Sequence, residues 1–137
     1  INFLKDTAKF TGYDASEGAL YVLFMLSLAM HPKAPSILHV DSFDHALNPR
    51  LAKKMIQVFC EQILNNDKHV FLTTHNPLVL DGLDITNDDI RLFTVERDKN
   101  GYAKIKRIKV SQELIDEGQS LSRLWINGRL GGVPDLI

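Results

Sequence analysis

At 137 residues, 45% hydrophobic and 24% charged, the chain has the size and make-up of one globular domain with a core of its own. A formal net charge of −1 and a pI near 6.6 give no molecule-wide electrostatic case for binding nucleic acid or a membrane. Cys60 is the single cysteine, which excludes a disulfide framework or a thiolate metal site and fits a reducing, cytoplasmic setting.

No signal peptide is visible, and the longest apolar stretch, residues 18–30, is too short to span a bilayer. The chain opens on Ile1 rather than methionine, which suggests a piece of a longer protein. Residues 1–10 read as a strand or strand pair broken at Lys5-Asp6, followed by a polar turn at residues 11–14. A helix starts near Ser16. Its body, residues 20–30, is apolar almost all round, so it is expected to pack on more than one side as a core element. Pro32 and Pro35 stop it.

Two short apolar runs follow, residues 36–41 ending on Asp41 and residues 70–75 ending on His75. Between them Asn48-Pro49 makes a helix start, with asparagine as cap and proline where its missing donor costs nothing. The helix runs to about Leu64 with Leu51, Met55, Val58, Phe59 and Ile63 on its apolar stripe. Strand, helix, strand in that order reads as a parallel pair of a covered sheet joined by one crossover. The carboxyl ends of both strands then lie at one edge, where open α/β sheets bind ligands, so Asp41 and His75 are the leading site candidates. Beyond them Pro77 opens a short helix to Leu80, closed by Asp81-Gly82. Residues 90–96 and 102–110 flank Asp98-Lys99-Asn100-Gly101 as an antiparallel hairpin. Residues 113–125 are weakly helical with a break at Gly118, and residues 128–134 form a glycine-rich loop.

Phosphate chemistry at such an edge requires a carboxylate for Mg²⁺, a group to orient the attacking water, and donors around the γ-phosphate. Asp41 fits the first need and His75 the last. The turn after Asp41 holds Asp44 and His45 near the same edge. Ser16 and Gly18 stand at a helix start, where free backbone donors and the dipole favour an anion and glycine permits close approach. Ser16 serves equally well as an ordinary helix cap, and Asp44 as a solvated turn residue.

With these motifs the chain resembles the second half of an ABC-type ATPase head, near the bacterial AAA family ATPases of the OLD, RecF and SMC-like group. Ala15-Ser16-Glu17-Gly18 resembles the signature loop, residues 37–41 a Walker B strand, Leu47-Asn48-Pro49 the D-loop, and Thr73-Thr74-His75-Asn76-Pro77 the switch-histidine segment. The resemblance implies a P-loop NTPase-like, mainly parallel α/β fold and ATP with Mg²⁺ as cofactors, with Asp41 on the metal and His75 at the γ-phosphate. It also implies a second ATPase head as partner, closed over by Ser16 and Gly18, and DNA contacts through regions outside this chain. Two departures stand out. Ser42, whose hydroxyl is a poor base, occupies the position where the family usually has the water-polarising glutamate, which puts hydrolysis in question: either Asp44 substitutes if the turn swings it inward, or hydrolysis is slow and ATP serves mainly as a clamp. No Gly-x-x-x-x-Gly-Lys-Ser/Thr phosphate loop occurs in the 137 residues.

Two other readings compete. A metal-dependent phosphoesterase or nuclease would use His39, Asp41, Asp44, His45 and His75 as an oxygen and nitrogen ligand set for Mn²⁺ or Zn²⁺. A noncatalytic nucleic-acid module would use Lys104, Lys106, Arg107 and Lys109 as a basic ribbon, although lysines on an edge strand also serve simply to prevent aggregation.

Overall fold

The computed structural model describes residues 15–109 and 118–132. The strand pair expected over residues 1–10, the turn at residues 11–14, the first part of the weak helix over residues 113–125 and the end of the glycine-rich tail lie outside the described residues. Four helices and four strands occur among those described: α1 Glu17–Met30, β1 Ile37–Val40, α2 Pro49–Asn65, β2 His69–Leu72, α3 Pro77–Leu80, β3 Leu92–Arg97, β4 Ala103–Ile108 and α4 Leu121–Ile126.

The crossover unit forms as its sequence dictates. Asn48 caps α2 by accepting the Leu51 amide at 2.9 Å, and Pro49 sits in the first turn. The apolar stripe of α2 buries Ala52, Met55, Ile56, Phe59 and Ile63. These pack under β1 and β2, which pair in parallel with Leu38 opposite Val70 and Val40 opposite Leu72. The core also takes Met25 and Ala29 of α1, Phe43 and Leu47 of the turn after β1, and Val79 of α3.

Two expectations are corrected here. Among the described residues the sheet is covered on one face only: Ile37, His39, His69 and Phe71 alternate with the buried or half-buried positions and are all exposed. Helix α1 is likewise packed on one side among the described residues. Leu23 and Phe24 are 64% and 58% exposed, and Leu20 and Met30 are exposed as well. An apolar composition all round shows that a helix tolerates burial on every side, but only partners supply it, and among the described residues α1 rests mainly on α2.

Lys68, just before β2, ties α1 to this unit. It is a buried lysine whose Nζ donates to the carbonyls of Leu28 at 2.6 Å and His31 at 2.8 Å. The C-terminal carbonyls of α1, which lack helical donors, thereby receive a cation where the helix dipole is negative.

The hairpin of β3 and β4 pairs antiparallel, Val95 opposite Ile105. Asp98 organises its loop, accepting from the amides of Asn100 and Tyr102, and Gly101 adopts φ +84°, a left-handed conformation that suits glycine. Alternation along β4 breaks up the supposed basic ribbon. Lys104 and Lys106 share a face with Glu96 and Thr94, while Arg107 lies on the other face beside Phe93. Lys104 also pairs with Asp98, and Arg107 with Asp88. Leu92, Ile108, Leu124 and Leu130 form a second small core between the hairpin and α4. Asp81 at the end of α3 accepts both the amide and the hydroxyl of Ser122, at 2.8 and 2.7 Å, and so joins α4 to the crossover unit.

Candidate functional site

The parallel register fixes the geometry of the carboxyl edge. Val40 pairs with Leu72, and the Thr73 amide continues the ladder by donating to the Val40 carbonyl at 2.9 Å. Asp41 and Thr73 therefore leave the sheet side by side. The chain then turns sharply at Ser42, whose φ of +52° lies in the left-handed region that non-glycine residues seldom occupy. Phe43 and Leu47 are buried and anchor the turn, with the Phe43 ring 5.6 Å from that of Phe59. Because those two side chains point into the core, Asp41 and His45 remain exposed and Asp44 half-buried.

Thr73 carries most of the turn's cross-links. Its hydroxyl accepts the Ser42 amide at 2.9 Å and donates to Asp41 Oδ1 at 2.5 Å, and its carbonyl accepts the Phe43 amide at 2.9 Å. Thr74 repeats the pattern, donating to Asp44 Oδ1 at 2.5 Å and accepting the Asn76 amide at 3.1 Å. His75, between Thr74 and Asn76, is exposed, with no protein partner among the described residues. Asn76 caps α3 by accepting the Leu78 amide at 3.0 Å.

Helix α1 meets the same turn at its N-terminus. Ser16 is the helix cap, its hydroxyl oxygen accepting the Ala19 amide at 3.2 Å. A side chain at Gly18 would put its Cβ 2.8 Å from the Ala46 carbonyl oxygen, so glycine allows α1 to lie directly against the acidic turn. One turn further on, the Tyr21 hydroxyl has its pKa raised, by burial first and by the negative charge of Asp44 second.

Of the residues singled out from sequence, the structure thus gathers Asp41, Asp44 and Gly18 around one turn, with Ser16 capping the adjoining helix and His75 following β2 at the same edge. It does not assemble the phosphoesterase set. His39 stacks on Phe71 on the open sheet face, ring centres 5.3 Å apart, and no group of three His, Cys, Asp or Glu able to hold a metal occurs among the described residues. A cleft of about 520 Å³ beside α2, lined by Cys60, Glu61, Asp81 and Asp84 among others, contains neither Asp41 nor His75. Sequence reasoning missed the two threonines. The available signal was a pair of hydroxyls ending one strand beside another strand that ends on a carboxylate.

The exposed Asp41 carboxylate has one oxygen engaged by the Thr73 hydroxyl, leaving Oδ2 without a protein partner among the described residues. One carboxylate among neutral oxygens fits Mg²⁺, which usually takes one or two carboxylates and fills its shell with water and phosphate oxygens. No helix among the described residues is long and apolar enough to cross a membrane.

No curated protein and no solved structure matches the chain significantly. Residues 2–81, more than half of the chain, match the family model described as AAA domain, putative AbiEii toxin, Type IV TA system. The matched span holds α1 through α3 and with them Ser16, Gly18, Asp41, Asp44 and His75, and it leaves the hairpin and α4 outside. The chain belongs to this AAA-domain family, and a nucleotide-binding function of the ATPase type goes with that membership.

Proposed function

We propose that the chain supplies the acidic and histidine half of an ABC-type ATP site, completed by a phosphate loop outside these 137 residues. The observation that carries this reading is the delivery of Asp41 and the His75 segment to one edge by adjacent parallel strands in register. Asp41 holds Mg²⁺ through its unpartnered oxygen. His75, exposed and without a protein partner among the described residues, contacts the γ-phosphate. Asp44 orients the attacking water in place of the glutamate that Ser42 displaces, which makes hydrolysis slow and gives nucleotide binding the larger role. The open sheet face and the exposed side of α1 are where the phosphate-loop half packs, since parallel sheets are covered on both faces. These 137 residues alone then show no measurable ATPase activity.

In this account two heads close over nucleotide, with Ser16 and Gly18 of one head facing the phosphates held by the other. Such a cytoplasmic clamp suits DNA repair, chromosome maintenance or phage defence, with DNA reached through other regions. The test is sedimentation of a protein carrying both halves, with and without Mg·ATP. Wild type is expected to dimerise only with nucleotide. Ser16→Arg is expected to keep ATP binding by one subunit and lose both the dimer and hydrolysis. A nucleotide-independent monomer that still hydrolyses ATP refutes the clamp. Asp44→Asn should preserve the Thr74 hydrogen bond and nucleotide affinity while lowering single-turnover hydrolysis about 100-fold.

A further inference from the structure

We propose that Thr73 and Thr74 are positioning residues that assign the two carboxylates different tasks, Thr73 aiming Asp41 at a cation and Thr74 holding Asp44 away from it. A threonine hydroxyl has one proton to give. At Thr73 the oxygen already accepts the Ser42 amide, so the proton is directed to Asp41 Oδ1. At Thr74 the oxygen accepts the Asn76 amide, so the proton is directed to Asp44 Oδ1. Each hydroxyl thus receives from the backbone and gives to a carboxylate, which fixes the sense of both bonds.

Burial alternates on past the end of β2, with Thr73 exposed and Thr74 half-buried, so the two hydroxyls engage the acids in different surroundings. Asp41 is left exposed, with one oxygen free for a metal. Asp44 is half-buried, with one oxygen held by Thr74. The same two hydroxyls hold the backbone that flanks the acids. The Thr73 bond secures the left-handed Ser42, and the Thr74 bond reaches Asn76 on the far side of His75. The segment leading to His75 is thereby tied to both carboxylates through the Thr73 and Thr74 hydroxyls.

The metal half of this inference rests on the nucleotide-site reading, and the test separates the two. Amide exchange on the 137-residue chain needs no nucleotide. Thr73→Val keeps the branched volume and removes the hydroxyl, and it is expected to accelerate exchange at Ser42 by roughly tenfold, with Thr73→Ser close to wild type. Thr74→Val should do the same at Asn76, rescued by Thr74→Ser. Unchanged exchange in the valine variants, or serine variants that behave like valine, overturns the clasp. In a protein that also carries the phosphate loop, ATP affinity is then measured with Mg²⁺ and with EDTA. Thr73→Val is expected to lose about tenfold in the Mg²⁺-dependent part of the affinity and nothing in EDTA, because it acts through a metal ligand. Equal losses in both conditions refute a positioning role. Absence of ATP binding by the wild type refutes the nucleotide reading, and the metal role of Thr73 with it, while the exchange data still decide whether the clasp exists.

Discussion

Substituting Gly18 by alanine sets two effects of opposite sign against each other. Gly18 is the second residue of α1, and helix propensity alone favours alanine by up to about 1 kcal/mol, less in a first turn. The structure opposes it. The new Cβ would stand 2.8 Å from the Ala46 carbonyl oxygen. An ordinary carbon–oxygen contact is about 3.3 Å, so helix or turn has to yield by roughly 0.5 Å. The turn yields little, because Phe43 and Leu47 are buried on either side of Asp44 and the Leu47 amide bonds the Asp44 carbonyl at 3.0 Å. Overpacking of this kind costs about 1–3 kcal/mol, which outweighs the propensity gain and leaves a net loss near 1 kcal/mol. Urea unfolding at a shared m-value should show Gly18→Ala less stable than wild type by that amount, with Tm lower by about 3 °C. Ala19→Gly, at an exposed neighbouring position, provides the propensity scale. A Gly18→Ala protein more stable than wild type would refute the packing of α1 against the acidic turn.

Lys68→Met keeps most of the aliphatic stem but leaves the Leu28 and His31 carbonyls without their cation, and should cost about 2–4 kcal/mol in urea unfolding. A loss below about 0.5 kcal/mol would mean that the α1 terminus is satisfied by water instead. Burial pushes the Cys60 thiol up to about 11 from 9.0, so thiol reagents at pH 8 should label the native protein far more slowly than the urea-unfolded chain. The folded thiol keeps its proton where the unfolded one loses it. Its contribution to stability is therefore complete below pH 9.0, declines as the pH rises to about 11, and should be missing from the alkaline unfolding profile of Cys60→Ala. Equal labelling rates in the native and unfolded states would contradict that burial.

Local chemistry was legible where a residue acts on its sequence neighbours. Asn48-Pro49 opening α2, Pro77 opening α3 and the Asp98 to Gly101 hairpin loop all form as read, because caps and turns are decided within a few residues. The crossover and its parallel strands were legible from the spacing of the two apolar runs. Contacts set by tertiary approach were not. Gly18 reads as an anion-binding glycine, and what it meets in this chain is a carbonyl of the β1–α2 turn. Lys68 reads as part of a polar turn, yet its amine reaches carbonyls some 40 positions earlier. The run of basic residues in β4 looked like one surface because composition ignores alternation; pairing with β3 divides it between two faces. For α1 the apolar residues were visible but the number of its partners was not.

The central claim is that Asp41, at the end of β1, carries the metal of an ATP site, and Mg²⁺-dependent nucleotide binding tests it most directly. Titration calorimetry with ATP, in Mg²⁺ and in EDTA, is to be run on wild type and Asp41→Asn of a protein containing both this chain and a phosphate loop. Wild type is expected to bind more tightly with Mg²⁺ than without, and Asp41→Asn to lose about 10- to 100-fold of that difference while its affinity in EDTA is unchanged. The same Mg²⁺ enhancement in both proteins would remove Asp41 from the metal and contradict the account.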